Sequence, residues 1–96
     1  MSTVTVVAKV TAKKGFVESV RCELLKLIAP TRTEEGCLEY RLHQDQADPA
    51  VFIFYENWQS EACLARHMES DHFKNYVRAV DGRIEEKIVH RMTMIC

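Results

Sequence analysis

The chain has 96 residues, the length of one domain, and 47% of them are hydrophobic. Lysine plus arginine number 13 against 14 acidic residues, for a formal charge of -1, so no basic field exists to hold a nucleic-acid backbone. Three glycines and two prolines exclude collagen-like and low-complexity classes, and no uncharged run approaches the ~20 residues of a membrane span.

Residues 3–11, TVTVVAKVT, place Val4, Val6, Ala8 and Val10 on one face. That period of two and the β-branched content predict a strand. Residues 16–29 change period. Phe16, Val20, Leu24 and Leu27 recur every three to four positions, which predicts an amphipathic helix. Pro30 should kink it, a helical tail should run to about Glu34, and Gly36 reads as its C-terminal cap.

Residues 37–45 alternate again, with Leu38, Tyr40 and Leu42 on one face. A polar turn with Pro49 follows. Residues 50–58, AVFIFYENW, are the most apolar run and predict a central strand. Phe52, Phe54, Glu56 and Trp58 share one face; Val51, Ile53, Tyr55 and Asn57 share the other. Both faces are largely apolar, so both need cover. Helices can cover only one in so small a domain, which leaves the other for a second subunit.

Ser60 is an N-cap residue for a short helix to about Met68. Ser70 and Asp71 cap a second piece through Phe73, Val77 and Val80. Residues 83–94 predict a long last strand with Ile84, Ile88, Met92 and Met94 in alternation, interrupted by Glu86 and His90. The order β-α-β-β-α-β is a ferredoxin-like α+β fold spanning residues 1–96 as a single domain, an antiparallel sheet with helices on one face.

That fold hosts unrelated functions, so chemistry must be read from the residues. Cys22, Cys37, Cys63 and Cys96 lie 15, 26 and 33 positions apart, neither zinc-ligand nor redox spacing, and read as free thiols. With no basic stretch and apolar run opening the chain, a cytoplasmic protein is expected, with neither nucleic acid nor membrane as partner. His67 and His72 are five apart, and no carboxylate–histidine motif of ligand spacing appears, so no metal is expected. The three glycines are isolated and form no phosphate-binding loop.

The densest constellation is Phe52-x-Phe54-x-Glu56-x-Trp58 with Arg66-His67 and His72-Phe73. Aromatic rings along a strand, faced by two histidines, outline an apolar pocket with a few polar groups. Phe52 and Phe54 also read as plain core, Trp58 as core or pocket, and Glu56 as a pocket or subunit contact. Arg32 and Tyr40 are weaker candidates.

The runs Thr31-Arg32-Thr33-Glu34-Glu35-Gly36-Cys37-Leu38-x-Tyr40, Phe54-Tyr55-Glu56-x-Trp58-x-Ser60 and His67-x-x-Ser70-x-His72-Phe73 resemble the antibiotic biosynthesis monooxygenase domain family over nearly the whole chain. The resemblance implies a homodimer, a dimeric α/β barrel in which two sheets pack face to face. It also implies a cofactor-independent monooxygenase that oxidises a quinol-like or polycyclic phenolic aromatic with molecular oxygen. His67 and His72 would be the base candidates. Trp58, Phe52 and Tyr76 would contact the ring, and Asn57 or Arg32 would stabilise an oxyanion. Related members degrade haem, with an asparagine on the first strand that residues 4–10 lack. Others isomerise a small phosphorylated carbonyl of the autoinducer type, for which Arg32, Arg66 or Lys74 would hold the phosphate. A dimeric small-ligand binding protein without turnover is a third reading.

Overall fold

The structure, a computed structural model, describes residues 3–96. The elements run β1 (Val4–Ala12), α1 (Val17–Lys26), α2 (Ile28–Arg32), β2 (Cys37–Gln44), β3 (Val51–Trp58), α3 (Glu61–Met68), α4 (Asp71–Ala79) and β4 (Ile84–Met92). The strands form one antiparallel sheet in the order β2-β3-β1-β4. This is the expected ferredoxin-like α+β arrangement.

Alternation along β1 and β3 sends Val4, Val6, Val10, Phe52, Phe54, Glu56 and Trp58 to one face, where all are buried. Val20, Leu24, Leu27 and Leu64 pack onto it from the helices. On the opposite face Val7, Ile53 and Ile88 are half-buried and Tyr55 is exposed.

Several expectations are corrected. The helix break falls at Leu27, one turn before Pro30. Pro30 thereby lies in the first turn of α2, where a missing N–H costs no intrahelical bond. The helical tail stops at Arg32, so Glu34 stands in a bend between α2 and β2. Leu38 is 58% exposed. The β2–β3 register shifts between Cys37 and Glu39, which makes Leu38 the extra residue of a bulge and puts Cys37 opposite Trp58.

A second shift in register separates Ile84 from Glu86. Ile84 pairs with Ala12 on the helix side, whereas Ile88 pairs with Lys9 on the open side. Beyond that shift Lys87, Val89 and Arg91 lie opposite Val10, Ala8 and Val6, and so face the helices. The strand ends at Met92, short of Met94. On α4 the inner face is carried by Phe73 and Tyr76, while Val77 is 46% exposed.

Candidate active site

Three elements deliver the site's polar groups. Ser60 caps α3 by accepting from the Cys63 N–H at 3.2 Å, and Ser70 caps α4 by accepting from the Phe73 N–H at 3.3 Å. These caps fix the start of each short helix and so aim His67 and His72. The bend after α2 carries Glu34. Gly36, at φ +84°, closes that bend against α3, and a Cβ there would run into Cys63 Sγ. The Gln59 N–H donates to the Gly36 carbonyl at 2.8 Å and holds the bend in place.

Glu34 Oε2 lies 2.8 Å from His67 Nδ1 and 2.6 Å from His72 Nε2. A carboxylate accepts, so both nitrogens carry the proton and donate to it. The other ring nitrogen of His67, Nε2, is then a lone pair with no partner among the described residues. The imidazole is 3% exposed and packs 4.8 Å from Trp58, 5.1 Å from Phe73 and 5.6 Å from Tyr40, centroid to centroid. Burial holds its pKa below the usual 6.5, and Glu34 pulls the other way.

A cavity of about 100 Å³ opens beside it between the helices and the sheet. Its floor is Val6, Ala8, Val10 and Phe54, with Tyr40, Glu56, His67 and Tyr76 among its walls. Glu56 is 5% exposed, and the Trp58 indole N–H donates to its Oε1 at 2.8 Å. Burial pushes the Glu56 carboxyl up to about 7 against that hydrogen bond, with help from the charge of Glu34. Near neutral pH the cavity thus presents a neutral imidazole acceptor and a carboxyl that is about half protonated, whose protonated form is able to donate. Burial also raises the Tyr40 hydroxyl well above its ordinary value and pushes Tyr76 up to about 12, so both phenols stay protonated.

The candidate site residues from the sequence divide into three groups. Tyr40, Glu56, His67 and Tyr76 line the cavity. His72 joins them through Glu34 but faces the other way, into a second opening with Glu23, Lys26 and Asn75. The remaining four lie outside the lining. Phe52 (1% exposed) and Trp58 (0%) are interior packing, although Trp58 touches both His67 and Glu56. Asn57 is on the opposite face of the sheet, accepting from Thr5 and donating to Glu39 at 2.8 Å, as expected from its alternation with Trp58. The Arg32 guanidinium donates twice to the Tyr40 carbonyl, at 3.1 and 2.9 Å, capping the outer edge of β2.

Glu34 is the site residue that sequence reasoning left without a role. Two neighbouring glutamates before a cap glycine give no sign of which one turns inward. The other cations considered for a phosphate are engaged on the surface. Arg66 donates to Cys63 Sγ and pairs with Glu35, and Lys74 pairs with Glu69. Glu34, His67 and His72 place three donor atoms within 4.8 Å of one another, the set a divalent metal would use. Their O–N separations are nevertheless hydrogen-bond lengths, whereas tetrahedral donors about 2.0–2.1 Å from a zinc ion stand roughly 3.3 Å apart.

Residues 3–79 match the family described as antibiotic biosynthesis monooxygenase. The chain belongs to that family. A relative from Mycobacterium tuberculosis, named "Putative monooxygenase Rv0793", is 34% identical over 83 residues, 86% of this chain and 80% of that protein. The Escherichia coli K12 protein named "Probable quinol monooxygenase YgiN" is 29% identical over 92 residues, 85% of this chain and 88% of that one. The chain spans about a third of the length of another relative, Synechocystis sll1783, matching 34% of it. The crystal structure of PA3566 from Pseudomonas aeruginosa superposes with a TM-score of 0.96 at 33% identity, covering 100% of this chain and 97% of that one. Membership in the antibiotic biosynthesis monooxygenase family supports a monooxygenase-like function. No helix among the described residues is long and apolar enough to cross a membrane.

Proposed function

We propose that this protein is a cofactor-independent monooxygenase that oxidises a quinol-like or polycyclic phenolic aromatic with molecular oxygen. One observation supports this reading above the others. His67 is held through Nδ1 by Glu34, leaving a lone pair on Nε2 in an imidazole that walls an aromatic-lined cavity. A carboxylate–histidine pair of this kind orients a general base, and a buried neutral imidazole is ready to accept at neutral pH.

In this reading His67 Nε2 takes the phenolic proton as the ring lies over Ala8 between Phe54 and Tyr76. The electron-rich anion passes one electron to oxygen, and the two radicals combine into a carbon-bound peroxide. The peroxide's O–O bond breaks as the ring carbon loses its hydrogen. One oxygen atom stays on carbon as a carbonyl and the other leaves as water. Glu56 supplies the proton donor for the developing oxygen anion, the role first given to Asn57 or Arg32. Imidazolium at His67 is stabilised by Glu34, and His72 connects that carboxylate to the surface.

The active unit in this proposal is a homodimer. The open sheet face, with Val7, Ile53, Tyr55 and Ile88, supplies an apolar strip that one chain leaves uncovered. Four free thiols favour a reducing, cytoplasmic location. The cations singled out for a phosphate from sequence, Arg32, Arg66 and Lys74, stand outside the cavity.

The test is oxygen uptake with a reduced naphthoquinone, against a buffer control for autoxidation. One oxygen consumed per quinol, with one labelled atom from ¹⁸O₂ in the product, supports the proposal. Uptake equal to the control across a panel of naphtho- and anthraquinols overturns it.

A further inference from the structure

We infer that the cavity takes aromatic acids: a hydroxylated two-ring scaffold with its phenolic end at His67 and Glu56 and a carboxylate or sulfonate at the opposite end, against Lys87 and Arg91. The orientation rests on the proposed function, while the charge preference rests on the sheet register alone.

Three rows of side chains cross the sheet beneath the cavity. They run Glu56–Val6–Arg91, Phe54–Ala8–Val89 and Phe52–Val10–Lys87. The middle row has the smallest floor residue at its centre, so Ala8 makes the depression. The row ends at Val89, which is 49% exposed. The cavity is therefore closed at the β3 end and open at the β4 end. At the closed end stand the imidazole and the carboxyl. At the open end stand two cations, one on either side of Val89.

Chemistry at the two ends differs in sign. Glu56 is the single carboxylate in the lining, and its burial favours the neutral form. Lys87 has no carboxylate within 4 Å among the described residues. Arg91 pairs with Glu61 at 2.9 Å on the exposed rim, a contact that leaves further guanidinium N–H groups to donate. An apolar trough with a cationic mouth selects a ligand that is flat, apolar in the middle and anionic at its outer end.

The register also sets a length. Glu56 and Arg91 are two strands apart, roughly 9.5 Å at a strand spacing of about 4.8 Å. That is the scale of a two-ring system with substituents at both ends, its outer ring lying in the open mouth beyond the cavity of about 100 Å³. A single ring leaves the cations unmet, and a neutral ring leaves them unused.

The experiment compares binding of 6-hydroxy-2-naphthoate and 2-naphthol at low salt, read from ligand fluorescence. Wild-type protein should bind the acid about tenfold more tightly, the preference two partly shielded charge-assisted contacts would give. Lys87→Met with Arg91→Met should reduce that preference below about threefold while changing 2-naphthol affinity by less than about twofold. Lys14→Met, in the turn after β1, should leave the preference intact. Raising salt should erode it. Equal affinities in the wild type, or a preference that survives the double change, overturn the inference. So does a matching loss of 2-naphthol binding, because the two side chains would then shape the mouth rather than read charge. Oxygen uptake is a separate readout: a retained acid preference without quinol-dependent uptake contradicts the monooxygenase proposal and leaves this inference standing.

Discussion

Glu34 Oε2 stands 2.8 Å from Nδ1 of His67, joining a bend after α2 to the last turn of α3 across 33 positions of sequence. The contact decides which imidazole nitrogen keeps its proton. It also decides which nitrogen is left to act in the cavity. Replacing Glu34 by Gln removes the charge and allows the wrong tautomer. Turnover of Glu34→Gln and of His67→Ala should each fall by about 10²–10⁴-fold, the range for lost general-base assistance. The double variant should fall no further, because the two residues act as one unit. Additive losses measured by steady-state kinetics would separate them.

Glu56 gives the site a pH signature. Activity in this account needs His67 neutral and Glu56 protonated. The acid limb of kcat/KM should lie below 6.5, because burial lowers the His67 pKa. The alkaline limb should fall near 7, where Glu56 ionises. Glu56→Gln keeps a donor and an acceptor for the Trp58 indole, so it should retain activity and lose the alkaline limb.

The same group shapes stability. Its folded pKa is raised from 4.5 to about 7, so folding favours the protonated form. The contribution is fully present below 4.5 and is lost as pH rises to about 7. The full shift corresponds to roughly 3 kcal/mol at 1.36 kcal/mol per unit. Urea unfolding of Glu56→Gln should therefore show less loss of stability between pH 5 and pH 8 than the wild type. His67 acts in the opposite sense: its folded pKa is lowered, so its contribution is present above 6.5 and is lost as pH falls further.

Gly36 acts on the site through position. Its φ of +84° and the approach of Cys63 Sγ leave no room for a side chain. Gly36→Ala should cost about 1–3 kcal/mol for the strained backbone. It should also lower the acid-limb pKa, and lower kcat, as Glu34 shifts away from His67. The paired change Gly36→Ala with Cys63→Gly relieves the clash but keeps the positive φ, so a partial return of kcat would separate the two causes.

The uncovered sheet face makes a prediction about assembly. Ile53 pairs with Lys9 at the centre of that face and is half-buried in one chain. A stable partner interface buries roughly 1,200–2,000 Å² in total. Sedimentation should give a dimer for the wild type and a monomer for Ile53→Asp. A wild-type monomer at all concentrations would contradict face-to-face packing.

Much of this was readable from sequence, for identifiable reasons. The period of two in Val4–Val10 and Phe52–Trp58 names the buried face because alternation in a strand is strict. Ser60 and Ser70 name their helices because an N-cap needs a short polar side chain. Asn57 opposite Trp58 followed from the same alternation. Side-chain reach was not readable. Nothing in Arg32 says that it turns to the Tyr40 carbonyl, and nothing in Glu34-Glu35 says which carboxylate points inward. Both β-bulges were silent as well. One put Leu38 outside, and the other turned Lys87 and Arg91 toward the cavity, since a single extra residue reverses every side chain beyond it.

The most direct test of the central claim is oxygen uptake by His67→Ala beside the wild type, after chelator treatment, with a reduced naphthoquinone and tryptophan fluorescence to confirm that ligand still binds. The account predicts protein-dependent uptake by the chelated wild type and a loss of about 10²–10⁴-fold in the variant at near-equal binding. Undiminished uptake by His67→Ala, or uptake in the wild type that disappears with chelation and returns with a metal ion, would contradict it.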